Sequence, residues 1–203
     1  MSLKELYYKV AAKHLAKPQG LIGRYAMYSV CKNNKSQYDF IVNELEGTNN
    51  LNVLDVGFGN GVLLNTLANK YPNNYYGIDI SKDMVKLASK INKNHKIELK
   101  LGNIKDIPFD DNLFDVIYTS NTVYFWQDTK KAISEVKRVL KPNGKFINTL
   151  FSKEALDNLP HANYGYNKYT VDELLDIMNS IGETKAIEIE KGRLAIIARK
   201  EKL

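Results

Sequence analysis

Cysteine is nearly absent from this chain. Cys31 stands alone, so neither an internal disulfide framework nor a multi-cysteine zinc site is available. Histidine is scarce too. His14, His95 and His161 are far apart, with no H-x-x-x-H spacing and no carboxylate cluster beside them, so no metal site is expected. No stretch approaches the roughly 20 consecutive apolar residues that a membrane-spanning helix requires. Met1-Ser-Leu-Lys-Glu-Leu lacks the apolar centre and small-residue cleavage site of a signal peptide, so a cytoplasmic protein is expected. Arginine is confined to Arg24, Arg138, Arg193 and Arg199, although Lys and Arg together outnumber the acids 29 to 23 and leave a formal charge of +6. That excess is lysine scattered from Lys4 to Lys202, whereas arginine is the usual reader of phosphates and guanine edges. The charge therefore reads as solvated surface, and nucleic acid is disfavoured as a partner.

What is present suits a soluble globular protein. With 203 residues, 44% hydrophobic and 26% charged, the chain can fill one core, and a single domain over 1–203 is expected. Its organising stretch is Leu51-Asn-Val-Leu-Asp-Val-Gly-Phe-Gly-Asn-Gly61. An apolar run of strand type leads into glycine at 57, 59 and 61, and a helical pattern through Val62, Leu63, Leu64, Leu67 and Ala68 follows at once. Strand, glycine turn and helix together bring backbone N–H groups and a helix N-terminus up to a ligand. A dinucleotide fingerprint, G-x-G-x-x-G, would need glycine at position 62, which is Val62; a P-loop would need Gly-Lys-Ser/Thr.

Before this turn lie two helical patterns. Ser2-Leu-Lys-Glu5 is a capping box opening a helix with Leu3, Leu6, Tyr7, Val10 and Ala11 on one face, and a second pattern runs through Tyr38, Ile41, Val42 and Leu45 to Gly47. Residues 1–47 read as a helical cover beside the site, and 48–203 as the core. From Leu51 strand-like runs at 51–56, 74–79, 96–101, 114–119 and 145–151 alternate with helical patterns at 61–70, 82–92 and 128–140, with a turn at Lys141-Pro-Asn-Gly144. Such alternation implies parallel βαβ units in a doubly wound α/β sheet. Thr170-Val-Asp-Glu173 opens a further capped helix, and the runs 185–190 and 193–199 are joined by too few residues for anything but an antiparallel pair.

Asp55-Val-Gly57-Phe-Gly59-Asn-Gly61 resembles motif I, D-x-G-x-G-x-G, of the class I S-adenosylmethionine-dependent methyltransferases. Ile107-Pro-Phe109 followed by Phe114-Asp-Val-Ile117 resembles the same family's approach to its fourth strand, of the UbiE-like type. The resemblance implies a Rossmann-like, three-layer α/β/α fold with a seven-stranded sheet, parallel except for an antiparallel last strand. It implies S-adenosyl-L-methionine as cofactor, S-adenosyl-L-homocysteine as product, and contacts from Asp55, Gly57, Phe58, Gly59 and Gly61.

Asp79 ends the second strand, 22 residues after Gly57, where a doubly wound sheet sets a carboxylate beside the glycine turn to accept from both ribose hydroxyls. Ser81 is the better candidate for capping the helix that follows. By resemblance, Ile80 and Met84 flank the adenine, with core packing the alternative for each. Asn103 stands where the family most often has aspartate, so its side-chain carbonyl is expected to accept from the adenine amino group, and the N–H of Ile104 to meet a ring nitrogen. Backbone carbonyls near Ser120 and Asn121 are expected to hold the cofactor's amino group. The Asn/Asp-Pro-Pro-aromatic sequence of enzymes acting on DNA base amines is missing from Thr119-Ser-Asn-Thr-Val-Tyr-Phe-Trp126.

Substrate contacts are expected from Tyr124 and Trp126, from His161 and Tyr164 in the loop after the fifth strand, where Tyr166 and Tyr169 also lie and a substrate lid is expected, and from Tyr25 in the cover, with packing the alternative for each. Phe125 and Tyr28 read first as packing, and His14 and His95 as surface. No general base is named, since a sulfonium methyl is already reactive. The function expected is in-line methyl transfer to a small-molecule acceptor. An RNA methyltransferase, a non-catalytic S-adenosylmethionine-binding module and an NAD-dependent oxidoreductase are the alternatives, the last opposed by Val62 and the terminal hairpin.

Overall fold

The computed structural model describes residues 2–21, 23, 25 and 33–202; Tyr28, Cys31 and Arg24 lie outside them. The chain begins with helix α1 (Leu3–Ala16), whose Ser2 Oγ accepts from Glu5 N while the Glu5 carboxylate accepts from Ser2 N. Helix α2 (Lys35–Glu44) follows. The alternating core then runs β1 (Asn52–Val56), α3 (Val62–Lys70), β2 (Asn74–Asp79), α4 (Lys82–Ile91), β3 (Ile97–Leu101), β4 (Phe114–Ser120), α5 (Thr129–Val139) and β5 (Leu140–Phe151). A short α6 (Lys153–Asp157), a 3-10 turn at Pro160–Asn163, α7 (Val171–Met178), β6 (Gly182–Glu190) and β7 (Arg193–Lys200) complete it.

The strands form one sheet in the order β3-β2-β1-β4-β5-β7-β6. Strands β1 to β5 are parallel, and β7 is antiparallel to both its neighbours. The order reverses between β1 and β4, and that switch point opens a crevice at the strand C-termini. Alternation along the strands sends Leu54, Ile117, Phe146 and Ile196 to the face covered by α5 and α7. Val53, Tyr75, Val116, Ile147 and Ile197 go to the other face, against Ile41 of α2 and Leu45 just after it, Leu64 and Leu67 of α3, and Met84 and Ala88 of α4. The result is the three-layer α/β/α, seven-stranded arrangement.

Two local expectations are corrected. Strand β5 begins at Leu140, not Lys145, because Phe114 pairs with Leu140 before Lys141–Gly144 bulge out and pairing resumes at Val116–Lys145. Asn143 takes a φ of 62° there, and Pro142 falls inside the bulge, where its missing N–H costs no ladder bond. In α1, Leu3, Leu6, Tyr7 and Val10 form the expected face but remain exposed, and only Ala12 is buried. That face overhangs a cavity instead of packing on the sheet.

The N-terminal helices are nonetheless tied to the core. Ser81 Oγ, at the start of α4, donates to Pro18 O, and Gly20 N donates to Asp83 Oδ2 at 2.9 Å. Gln37 and Asn121 exchange two amide hydrogen bonds of 3.1 and 3.0 Å, and Lys145 pairs with Glu44 at 2.8 Å.

Candidate active site

The glycine turn departs from β1 with φ of 78° at Gly57, 55° at Gly59 and 76° at Gly61, a left-handed backbone that disfavours any Cβ. Gly57 N donates to Ile78 O at 2.8 Å, tying the turn to β2. Gly59 N donates to Asp79 Oδ2 at 2.9 Å, and Ser81 N to Asp79 Oδ1 at 2.8 Å. Burial pushes the Asp79 carboxyl up to about 6, against the lowering effect of the Ser81 and Gly59 amides. Each carboxylate oxygen keeps a lone pair for a further donor.

A cavity of about 870 Å³ opens over this turn. One end is walled by Gly57, Phe58, Gly59, Asp79, Ile80, Asn103 and Ile104; Ser120, Asn121, Tyr124 and Trp126 line the middle. The other end lies between α1 and the segment after β5, with Tyr7, Val10 and His14 facing Leu156, Leu159, His161 and Tyr166. Tyr25 also reaches the wall.

Four of the expected site residues lie elsewhere. Asp55 is buried beneath the turn, where loss of water drives its carboxyl well above the usual range, opposed by the Tyr118 hydroxyl. Gly61 is a packing residue: a Cβ would stand 2.7 Å from Ala88 Cβ and 2.8 Å from Asn92 Nδ2 of the neighbouring helix. Met84 is fully buried in the core, and Tyr164 sits outside the cavity with Lys9 Nζ 5.5 Å from its ring centroid. Phe58 reaches the wall, but its ring packs into the core, where Gly77 leaves it room.

Other expected residues are present but differently engaged. Asn103 Oδ1 accepts from Lys105 N at 3.0 Å, an Asx turn that leaves one lone pair for a ligand. Asn121 takes a φ of 57° and spends its amide on Gln37, with Oδ1 also accepting from the Tyr124 hydroxyl at 3.0 Å. The Tyr124 hydroxyl accepts in turn from Phe151 N, so it is a structural tie between β4 and β5. Trp126 is buried and donates from Nε1 to Thr122 Oγ1 at 3.2 Å.

Two further residues of the wall come from the loop after β5 and from α1. Tyr166 stacks on Tyr124 with centroids 5.4 Å apart and meets Phe125 edge-on at 4.6 Å. His14, read as surface, is half-buried on the cavity wall, and its Nδ1 is buried without a protein partner. The signal was there: Tyr7, Val10, Ala11 and His14 share one helical face.

The residues around the turn fit an adenosyl sulfonium compound. Ser120 Oγ is buried at the wall with no protein partner, so a polar ligand group would satisfy it. Among the described residues no group of three metal-ligating side chains occurs.

A family model described as a methyltransferase domain matches residues 54–148. The chain is 30% identical over 131 residues to the uncharacterized methyltransferase YdaC of Bacillus subtilis, covering 64% of this chain and 72% of that one. The chain belongs to the class I S-adenosylmethionine-dependent methyltransferases. It is also 35% identical over 113 residues to the ubiquinone/menaquinone biosynthesis C-methyltransferase UbiE of Rickettsia prowazekii, covering 51% of this chain but only 46% of that one. A solved S-adenosylmethionine-dependent methyltransferase of Aquifex aeolicus superposes with a TM-score of 0.68 at 26% identity, over 80% of this chain and 88% of that one. As a class I methyltransferase the chain uses S-adenosylmethionine.

Proposed function

We propose that this methyltransferase acts on a small-molecule acceptor held in the chamber between α1 and the segment after β5. Residues 1–47 serve as cover and 48–203 as core. The observation that carries the reading is that one cavity joins the glycine turn and Asp79 to an aromatic chamber roofed by a helix. A roofed chamber admits a small molecule more readily than a folded RNA. Of its wall cations, Arg193 is paired with Glu190.

The cofactor, when bound, supplies an electrophilic methyl carbon on a sulfonium sulfur. Asp79 accepts the ribose hydroxyls and fixes the sugar against the main chain of Gly57 and Gly59. Ile80 and Ile104 flank the adenine, and Asn103 accepts from its amino group. Ser120 takes the polar end of the amino-acid moiety, beside the backbone of Asn121. Tyr124, Phe125 and Trp126 wall the reacting end and keep water from it. Orientation of this kind is worth on the order of 7–11 kcal/mol.

The test has two stages. Calorimetry with S-adenosylhomocysteine and NADH should show binding of the first alone. Methyl transfer from labelled S-adenosylmethionine should then go to small acceptors and not to RNA. Transfer to RNA with steep salt dependence would replace the proposal by the RNA reading. Tight cofactor binding with no acceptor of either kind would leave a binding module.

A further inference from the structure

Asn121 holds a backbone conformation that its own Cβ disfavours, next to the seat of the cofactor's amino-acid end. It follows β4 at a φ of 57°, a left-handed geometry that asparagine tolerates better than most residues but still at a cost. The turn it makes is tight. Asn121 N donates to Thr149 O at 2.8 Å, and the methyl of the next residue, Thr122, packs on the glycine turn. A Cβ on Gly57 would stand 2.5 Å from Thr122 Cγ2, so the loop after β4 and the loop after β1 touch through a bare glycine.

A directional chain of hydrogen bonds holds this turn, and it ends outside the cavity. Phe151 N can only donate, and it donates to the Tyr124 hydroxyl oxygen. Burial pushes that hydroxyl above its ordinary value of 10, so its proton stays in place and goes to Asn121 Oδ1 at 3.0 Å. With Oδ1 fixed as the acceptor, Asn121 Nδ2 donates to Gln37 Oε1 at 3.0 Å, and Gln37 Nε2 returns a bond to Asn121 Oδ1 at 3.1 Å. Gln37 is fully buried, so its amide has no water to take the place of Asn121. The helix that carries it is pinned at both ends. Ser36 Oγ donates to Glu190 Oε1 at 2.8 Å, and Glu44 pairs with Lys145 at 2.8 Å. Asn121 lines the cavity, whereas Gln37 is not among its described wall residues.

We propose that Gln37 is a positioning residue for the methyl donor: by gripping Asn121 it fixes the loop after β4, and with it the seat of the donor's amino-acid moiety. The inference rests on the reading above that places this moiety at Ser120. Without the Gln37 amide, the Asn121 side chain can turn into the cavity it lines, and the left-handed backbone loses two of the bonds that offset its cost. Ser120, one residue earlier, shifts with it. Adenine and ribose are held by groups at the ends of β2 and β3 and do not depend on the relay.

The experiment compares two ligands on the full chain by calorimetry. One is S-adenosylhomocysteine. The other is 5′-deoxy-5′-methylthioadenosine, which keeps adenine, ribose and sulfur but carries a methyl group in place of the amino-acid chain. Gln37→Met fills a similar volume and removes the amide. It should weaken S-adenosylhomocysteine binding about tenfold, the worth of one or two hydrogen bonds, and leave methylthioadenosine within about twofold. A side chain that merely supported the fold would not separate the two ligands. Asn121→Gly keeps the left-handed turn but deletes the relay, and should show the same selective loss. Adding Gln37→Met to Asn121→Gly should then change nothing beyond about twofold, because Gln37 acts through Asn121. Tyr124→Phe breaks the chain from its other end with Gln37 untouched, and should be selective by about threefold even if Gln37→Met fails to fold.

Unchanged S-adenosylhomocysteine binding in Gln37→Met, equal loss of both ligands, a further tenfold loss on adding Gln37→Met to Asn121→Gly, or a Tyr124→Phe variant without selectivity would each overturn the proposal. The unaltered chain is the control on the reading beneath it. If it binds S-adenosylhomocysteine no tighter than methylthioadenosine, the amino-acid moiety is not seated at Ser120. If it binds neither, the cavity is not the methyl donor's site. In both cases that reading fails first and the role of Gln37 falls with it.

Discussion

Protonation of Asp79 should weaken cofactor binding in a narrow and calculable pH window. Burial raises this carboxyl to about 6, and the amides of Ser81 and Gly59 only partly offset that rise. The ribose hydroxyls need a carboxylate that accepts two hydrogen bonds, and a proton on Asp79 takes one acceptor away. The carboxylate fraction is about 0.9 at pH 7 and about 0.1 at pH 5, so apparent affinity should fall about tenfold between them. The ligand's own α-carboxyl and α-amino groups titrate outside that window. Calorimetry with S-adenosylhomocysteine across pH 5 to 7.5 measures the effect directly. Asp79→Asn should bind more weakly at pH 7 and show no such slope. Linkage requires the opposite trend in the free protein. The folded carboxyl holds its proton more tightly than the unfolded one, so its contribution to stability is greatest below the ordinary 3.8 and is lost as pH rises through about 6. Flat affinity over the window, or a pH slope that survives in Asp79→Asn, would refute the reasoning.

Other expectations concern the scaffold. Glu135 accepts from Ile107 N at 3.0 Å and pairs with Arg138, which also donates to Ile107 O, Phe109 O and Asp111, so the pair clamps the loop behind Ile104. The Arg138 hydrogen bonds hold the Glu135 carboxyl down at about 2, so its stabilisation is complete above the ordinary 4.5 and is lost as pH falls through about 2. Glu135→Gln should lower stability at pH 7 by about 2 kcal/mol in urea titrations and flatten acid unfolding over that range. Gly61→Ala should cost about 1–3 kcal/mol through its clash with Ala88 and its φ, seen as a lowered Tm without ligand. Gly59→Val, by contrast, should abolish S-adenosylhomocysteine binding by intruding on the cavity, and a variant that binds fully would show that the turn does not touch ligand. Tyr124→Phe, which loses its bonds to Asn121 and Phe151, should cost about 1–2 kcal/mol in the same titrations.

The parts legible in the sequence are those fixed by backbone geometry. Alternating glycines announce a turn that only positive φ can make, and both capping boxes form with their reciprocal bonds. The two-residue link at Lys191–Gly192 forces the last strands antiparallel. Residue roles set by distant contacts were harder to read. Motif I does not reveal that the third glycine answers to Ala88 and Asn92, or that Asp55 lies beneath the turn. Met84 lies fully in the core, among Leu64, Leu67 and Ala88 on the face where its helix packs against the sheet. His14 escaped notice because a helical face of Tyr7, Val10 and Ala11 reads as a core stripe, whereas here it roofs a cavity. Tyr164 and Tyr166 are two residues apart in an irregular segment, and no periodicity says which turns inward.

The central claim is that the Gly57–Gly59 turn and Asp79 hold the adenosyl compound at the β1/β4 switch point. A crystal structure of the chain with S-adenosylhomocysteine tests it most directly. The account predicts the ribose hydroxyls within hydrogen-bond distance of both Asp79 oxygens, and the sulfur directed toward the chamber beneath His14. A ligand lodged elsewhere, or a ribose turned away from Asp79, would contradict it.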